Sequence, residues 1–149
     1  MPPPVSELMS SFMAVRTRAY VDTSALISFA DKSDTYHRLF RRLFSTPPAL
    51  LTTPLVVAEG HGWFLRRYDR TRALEFLAMI ESMTPLELVP FGGPQQRAAI
   101  HVLRGFADQD LTLADAAGLA LMKAQQIKVC WSTDRHLGLT GVPLVIHLH

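Results

Sequence analysis

Strand and helix signals take turns along this chain, and that alternation leaves few folds open to it. Residues 18–22 read as a strand and 23–30 as a helix, and Asp34 is placed to cap a second helix to about residue 45. Residues 49–52 form a short strand. Thr53 as N-cap and Pro54 at the first helical position then start a helix to about residue 68. Asp69 caps a helix to about residue 82, residues 86–89 are a strand, and the Gly92-Gly93-Pro94 breaker precedes a helix to about residue 106. A helix over 113–125, a strand over 128–133 ending at Asp134, and a last strand over 143–147 complete the pattern. Strands separated by helices pair in parallel, with helices on both faces of the sheet. The fold class is therefore α/β, and in such sheets the functional crevice lies beyond the carboxyl ends of the strands.

The 149 residues fit one domain, spanning 18–149, preceded by a loose N-terminal tail over 1–17 with prolines at 2 to 4. With 48% hydrophobic residues the chain is not a disordered one. Trp63 and Trp131 are expected in the core. The single cysteine, Cys130, lies in the apolar run Val129-Cys130-Trp131 and reads as a buried thiol in a reducing, cytoplasmic setting. No apolar stretch reaches the roughly 20 residues of a membrane span, and residues 1–17 lack the apolar core of a secretory signal. The net charge is +2, but 12 of the 15 basic residues are Arg. Arg38, Arg41 and Arg42 cluster, as do Arg66, Arg67, Arg70 and Arg72. Guanidinium grips two phosphate oxygens at once, so the balance tilts toward a nucleic-acid partner.

Four of the 13 acids stand out. Asp22 interrupts an apolar run, "AYVDTSAL", where a strand hands over to a helix. Asp134 follows a late strand, and Asp115 sits three residues after Thr112 in "TLAD", the shape of a capping box. Helix capping alone would account for any one of these three. Glu59 is harder to dismiss, because Leu55, Val56 and Trp63 place its charge on an apolar helical stripe. Gly60 and Gly62 beside it leave room for a ligand or a close neighbour. If the strands are neighbours, the four carboxylates converge at one end of the sheet, where they would repel unless a divalent cation lay between them. Hard oxygen donors suit Mg²⁺ or Mn²⁺, and the chemistry that follows is metal-assisted phosphodiester hydrolysis.

The set "VDTSAL" at 21–26, "VVAEG" at 56–60, "DQDLTLADAAGLALM" at 108–122 and "WSTDRHL" at 131–137 resembles the PIN domain, most closely the VapC-type ribonuclease toxins of prokaryotic toxin–antitoxin pairs. The resemblance covers about residues 18–147. It implies a three-layer α/β/α fold around a mostly parallel sheet and an endoribonuclease dependent on Mg²⁺ or Mn²⁺. The family's acidic site falls on Asp22, Glu59, Asp115 and Asp134. Asp22 and Asp115 would be the most direct metal ligands, Glu59 would bind metal or orient the attacking water, and Asp134 would act through a water or a second ion. Thr133 or Ser132 would hold a carboxylate or phosphate oxygen. Thr23, Ser24, Asp110 and Asp108 fall on supporting positions. Arg135, Arg66 and Arg67 are candidates for the RNA backbone, Arg135 first among them. The implied partners are RNA, an antitoxin protein and a second copy in a homodimer, with no membrane.

The sequence departs from the family in "AEGHGWF", where His61 and two glycines replace a more regular helical stretch; His61 reads as a surface or packing residue. Two rival readings share the fold: a solitary PIN nuclease of RNA processing, and an inactive module that binds RNA or protein. A phosphatase with a strand-end Asp nucleophile would want a second Asp where Ser24 stands.

Overall fold

A computed structural model describes residues 2, 4–6 and 18–149, so the expected tail over 1–17 lies almost wholly outside the described residues. The order is β1 (Ala19–Val21), α1 (Thr23–Ala30), α2 (His37–Leu43), β2 (Leu50–Thr52), α3 (Pro54–Arg67), α4 (Arg70–Ser82), β3 (Leu86–Leu88), α5 (Gly93–Gly105), α6 (Leu113–Ala124) and β4 (Cys130–Trp131). Short 3-10 turns follow at Arg135–Gly138 and Val145–His147. The sheet order is β3-β2-β1-β4, every pairing parallel.

Strand register sorts the layers. Tyr20 pairs with Cys130, and Val21 with Trp131. Successive side chains on a strand point to opposite faces, so Tyr20 and Cys130 share one face while Val21 and Trp131 share the other. The Tyr20 ring lies against Gly118 of α6, so closely that a Cβ there would stand 2.8 Å from it. Trp131 packs against Phe40 and Phe44 around α2, at ring separations of 6.4 and 4.9 Å. The sheet is therefore sandwiched between α6 and α2, and the three-layer α/β/α expectation holds. The core comprises Ala19–Val21, Leu50, Leu51, Cys130 and Trp131 of the strands together with Leu26, Phe40, Val56, Phe64, Phe76, Leu119 and Leu137.

Several elements begin where local chemistry predicts. Thr53 caps α3 ahead of Pro54, and the Asp69 carboxylate accepts the Arg72 N–H at 2.8 Å to cap α4. Thr112 and Asp115 form the reciprocal capping box of α6.

Three expectations need correcting. The second helix starts at His37, not at Asp34, because Asp34 Oδ1 accepts the Ser28 hydroxyl and the Tyr36 N–H, both at 2.8 Å, and so builds a turn tied to α1. The strand expected over 128–133 is reduced to Cys130–Trp131, since beyond it the Thr133 and Asp134 N–H groups donate to the hydroxyls of Ser24 and Ser132 instead of to a neighbouring strand. The strand expected over 143–147 is a single bridge from Leu144 to Cys130, after which the chain curls into the Val145–His147 turn.

Candidate active site

The carboxyl end of the sheet opens into a cleft of about 210 Å³ lined by Asp22, Thr23, Ser24, Ile27, Glu59, Trp63, Arg66, Asp115 and Asp134. The four carboxylates reach it from four segments: the end of β1, the middle of α3, the first turn of α6 and the step after β4.

Each acid is held by one oxygen and leaves the other open. Asp22 Oδ2 accepts the hydroxyls of Ser24 at 2.8 Å and Ser132 at 2.9 Å, with the Ser24 N–H at 3.4 Å. Glu59 Oε1 accepts the Thr23 hydroxyl at 2.6 Å. Asp115 Oδ2 accepts the Thr112 N–H at 3.1 Å, and Asp134 Oδ1 accepts the His136 N–H at 3.0 Å. Among the described residues the second oxygen of each accepts no hydrogen bond, yet none is sealed from solvent. For Asp22, Asp115 and Asp134 the bonds that cap a helix or turn therefore use one oxygen and leave the other unbonded among the described residues.

Burial and mutual repulsion set the electrostatics of the acids. Asp22 is only 4% exposed, and burial pushes its carboxyl up to about 6. The Ser24 and Ser132 hydrogen bonds hold that rise down, while the nearby Asp115 charge adds to it. Burial also lifts Asp115 above the usual carboxylate range, opposed by the Thr112 N–H and reinforced by the charge of Asp134. Carboxylates raised in this way gain from a cation among them. Asp115, Asp134 and His136 each offer one ligand atom within 4.8 Å of the other two. The carboxylate oxygens are donors of the kind hard divalent cations take, and the imidazole adds a softer one.

The supporting positions divide. Ser132, fully buried, holds Asp22 and the Asp134 backbone through its side chain, whereas Thr133 contributes its N–H to Ser24. Thr23 fixes Glu59. Asp110 and Asp108 are exposed ahead of α6 and are not among the residues lining the cleft. Arg66 lines it; Arg67 lies over the Tyr68 ring and Arg135 is exposed on the 3-10 turn, both outside the lining. His61, half-buried, is also outside. Trp131 is in the core, and Trp63 is half-buried, packed against the core edge-on to Phe64 at 4.9 Å while also lining the cleft. One turn separates it from Glu59, so one helical face carries both.

Of the two glycines of α3, Gly60 serves packing. A Cβ at Gly60 would stand 2.3 Å from the Phe76 ring of α4, so the missing side chain admits a neighbouring helix. At Gly62 only the tip of Arg66 is close, at 3.0 Å. The helix runs unbroken through both. Cys130 is fully buried, and burial raises its thiol well above the ordinary range, so it is no nucleophile. The residue that sequence reasoning missed is His136, whose Nδ1 lies 3.3 Å from Asp134 Oδ1. Its only signal was a position two residues past the last acid.

Comparison with known proteins agrees with this architecture. No curated protein matches the sequence significantly. Among solved structures the chain is similar to the crystal structure of Mycobacterium tuberculosis VapC20, described as a sarcin-ricin loop cleaving toxin, with a TM-score of 0.75 and 22% identity over 83% of this chain and 95% of that one. It is also similar to PAE2754 from Pyrobaculum aerophilum, with a TM-score of 0.62 and 19% identity over 91% and 94% of the two chains. The family profile described as the PIN domain matches residues 19–141, and with that match across most of its length the chain belongs to the PIN-domain family.

Proposed function

We propose that the chain is a divalent-metal-dependent endoribonuclease and the toxin of a toxin–antitoxin pair. One observation carries the nuclease reading: four carboxylates from separate segments line one cleft, each tied down by one oxygen and open at the other. Asp22, Glu59, Asp115 and Asp134, with His136 beside them, would hold Mg²⁺ or Mn²⁺. Such an ion lowers the pKa of a bound water and offsets charge on the scissile phosphate.

The chain's own residues do the rest. Ser132 and Ser24 hold Asp22 at the cleft, and Thr23 does the same for Glu59, which would orient an attacking water. Arg66 on the cleft wall is placed to take a phosphate oxygen, and Trp63 offers a flat apolar surface for a base or ribose next to it. The toxin reading rests on the likeness to VapC20 and brings an antitoxin partner, a homodimer and a cytoplasmic setting with it. Among the described residues no helix is long and apolar enough to cross a membrane.

The test is cleavage of a mixed RNA pool by the purified chain with Mg²⁺, Mn²⁺ or chelator, beside folded Asp115→Asn. Metal-dependent cleavage lost in the variant supports the reading. Equal behaviour of the two proteins overturns the assignment of the site.

A further inference from the structure

A second basic feature lies outside the cleft. His37, Arg38, Arg41, Arg42 and Ser45 line an open basin of about 370 Å³ on α2. The spacing explains the grouping: positions 38, 41 and 42, with 37 and 45 alongside, fall on one face of a helix. The opposite face is anchored, with Phe40 fully buried and Phe44 packed on Phe29 at 4.8 Å and on Trp131 at 4.9 Å. His37 Nδ1 adds a hydrogen-bonding contact of 2.9 Å to the Ser28 carbonyl of α1. The three guanidinium groups are therefore presented on a rigid base.

Residues 35–58 contain no Asp or Glu, and no acid lines the basin. Among the described residues Arg38, Arg41 and Arg42 form no ion pair, although Arg72 does. Like charges at i,i+3 and i,i+4 destabilise a helix, and α2 carries both pairs within seven residues. An anion seated among them relieves that repulsion. Arg forks match phosphate oxygens, and three in one basin fit successive phosphates better than a single carboxylate.

We propose that this basin is a second RNA-backbone site that holds the strand beyond the cleft. The proposal deepens the ribonuclease reading and rests on it for the identity of the polyanion. The two sites share supporting elements. Trp131, which packs on the buried side of α2, is followed directly by Ser132, and Ser28 lies about 8 Å along α1 from Thr23 at the helical rise of ~1.5 Å per residue. The basin carries no sequence readout, so it governs affinity and salt dependence and leaves cleavage specificity to the cleft.

The test measures binding apart from cleavage. The full chain carrying Asp115→Asn is titrated into fluorescent RNAs of about 5 and about 20 nucleotides, one near the lower end and one beyond the upper end of the ~4–16-nucleotide span of single-strand grooves. Titrations are repeated across a salt series with Mg²⁺ present, with and without R38Q/R41Q/R42Q. For the longer RNA the triple variant is expected to bind at least about tenfold more weakly, with the log–log salt slope reduced by about 2, from ~0.7 per phosphate contact for single strands. The short RNA should change little. R38K/R41K/R42K should keep most of the slope, which separates lost charge from lost fold.

An unchanged slope in the Gln variant overturns the proposal, as does an equal loss in R97Q/R104Q, which removes charge from exposed positions of α5. A Gln variant that loses only binding to poly-glutamate makes the basin a protein-docking surface and also overturns it. Wild-type chain that cleaves nothing under any metal, while binding RNA through the basin, sinks the nuclease reading and leaves this one standing.

Discussion

Asp22 should make the metal-free protein less stable than it would be without that charge. A carboxyl moved from its ordinary 3.8 to about 6 reports about 3 kcal/mol of unfavourable free energy in the folded, ionised state, at ~1.36 kcal/mol per pH unit. Asp22→Asn removes the charge while keeping a side-chain oxygen for the Ser24 and Ser132 hydroxyls. In chelator at about pH 7.5 the variant should therefore be up to ~3 kcal/mol more stable, a rise of about 6–12 °C in Tm for a chain of this size.

The pH dependence gives the sharper test. The folded carboxyl binds its proton more tightly than the unfolded one, so the penalty is absent below about pH 4, grows between ~4 and ~6, and is complete above that. The Tm difference between variant and wild type should follow that window, measured by thermal unfolding monitored by circular dichroism. Mn²⁺ should then raise the wild-type Tm and shift the variant much less, because an ion that binds only the folded state stabilises it by mass action. A variant no more stable than wild type at neutral pH in chelator would refute the reasoning. So would an advantage that persists undiminished below pH ~4.

Other substitutions separate neighbouring roles. Ser132→Ala should cost about 1–3 kcal/mol in denaturant unfolding and most of the RNA cleavage, because it strips a hydrogen bond from buried Asp22, whereas Thr133→Ala keeps its backbone contribution and should stay near wild type in both. Gly60→Ala should destabilise by about 1–3 kcal/mol through the Phe76 ring, while Gly62→Ala, facing only the tip of Arg66, should be neutral or stabilising by up to ~1 kcal/mol; urea midpoints distinguish them. Thr23→Val should leave fold and RNA binding intact but lower the cleavage rate, since Glu59 loses the hydroxyl that orients it; an unchanged rate removes Glu59's orientation from the mechanism.

What the sequence disclosed, and what it hid, follows from the range of the forces involved. Thr53, Asp69 and Thr112 cap helices through contacts three residues away, so their helix starts were readable from the chain alone. Asp34 has the same chemistry but is claimed by Ser28, on a preceding helix whose position only tertiary packing fixes. The short β4 has the same origin: hydroxyls of Ser24 and Ser132 take over backbone donors that a longer ladder would have used, and the Ser24–Ser132 contact spans more than 100 residues of sequence. Periodicity placed Glu59 and Trp63 on one face of α3 but could not say that this face meets both the core, where Trp63 packs, and a cleft, which it also lines. The four acids were legible as a set because each interrupts an apolar pattern or opens an element at the same end of a parallel sheet. His136 was not, since nothing marks a histidine two positions beyond an acid until the Asp134 cap winds that stretch into a turn and brings imidazole and carboxylate together. The residues most visible in the sequence are therefore those that violate a local rule, while those that only become neighbours through folding are visible in the structure alone.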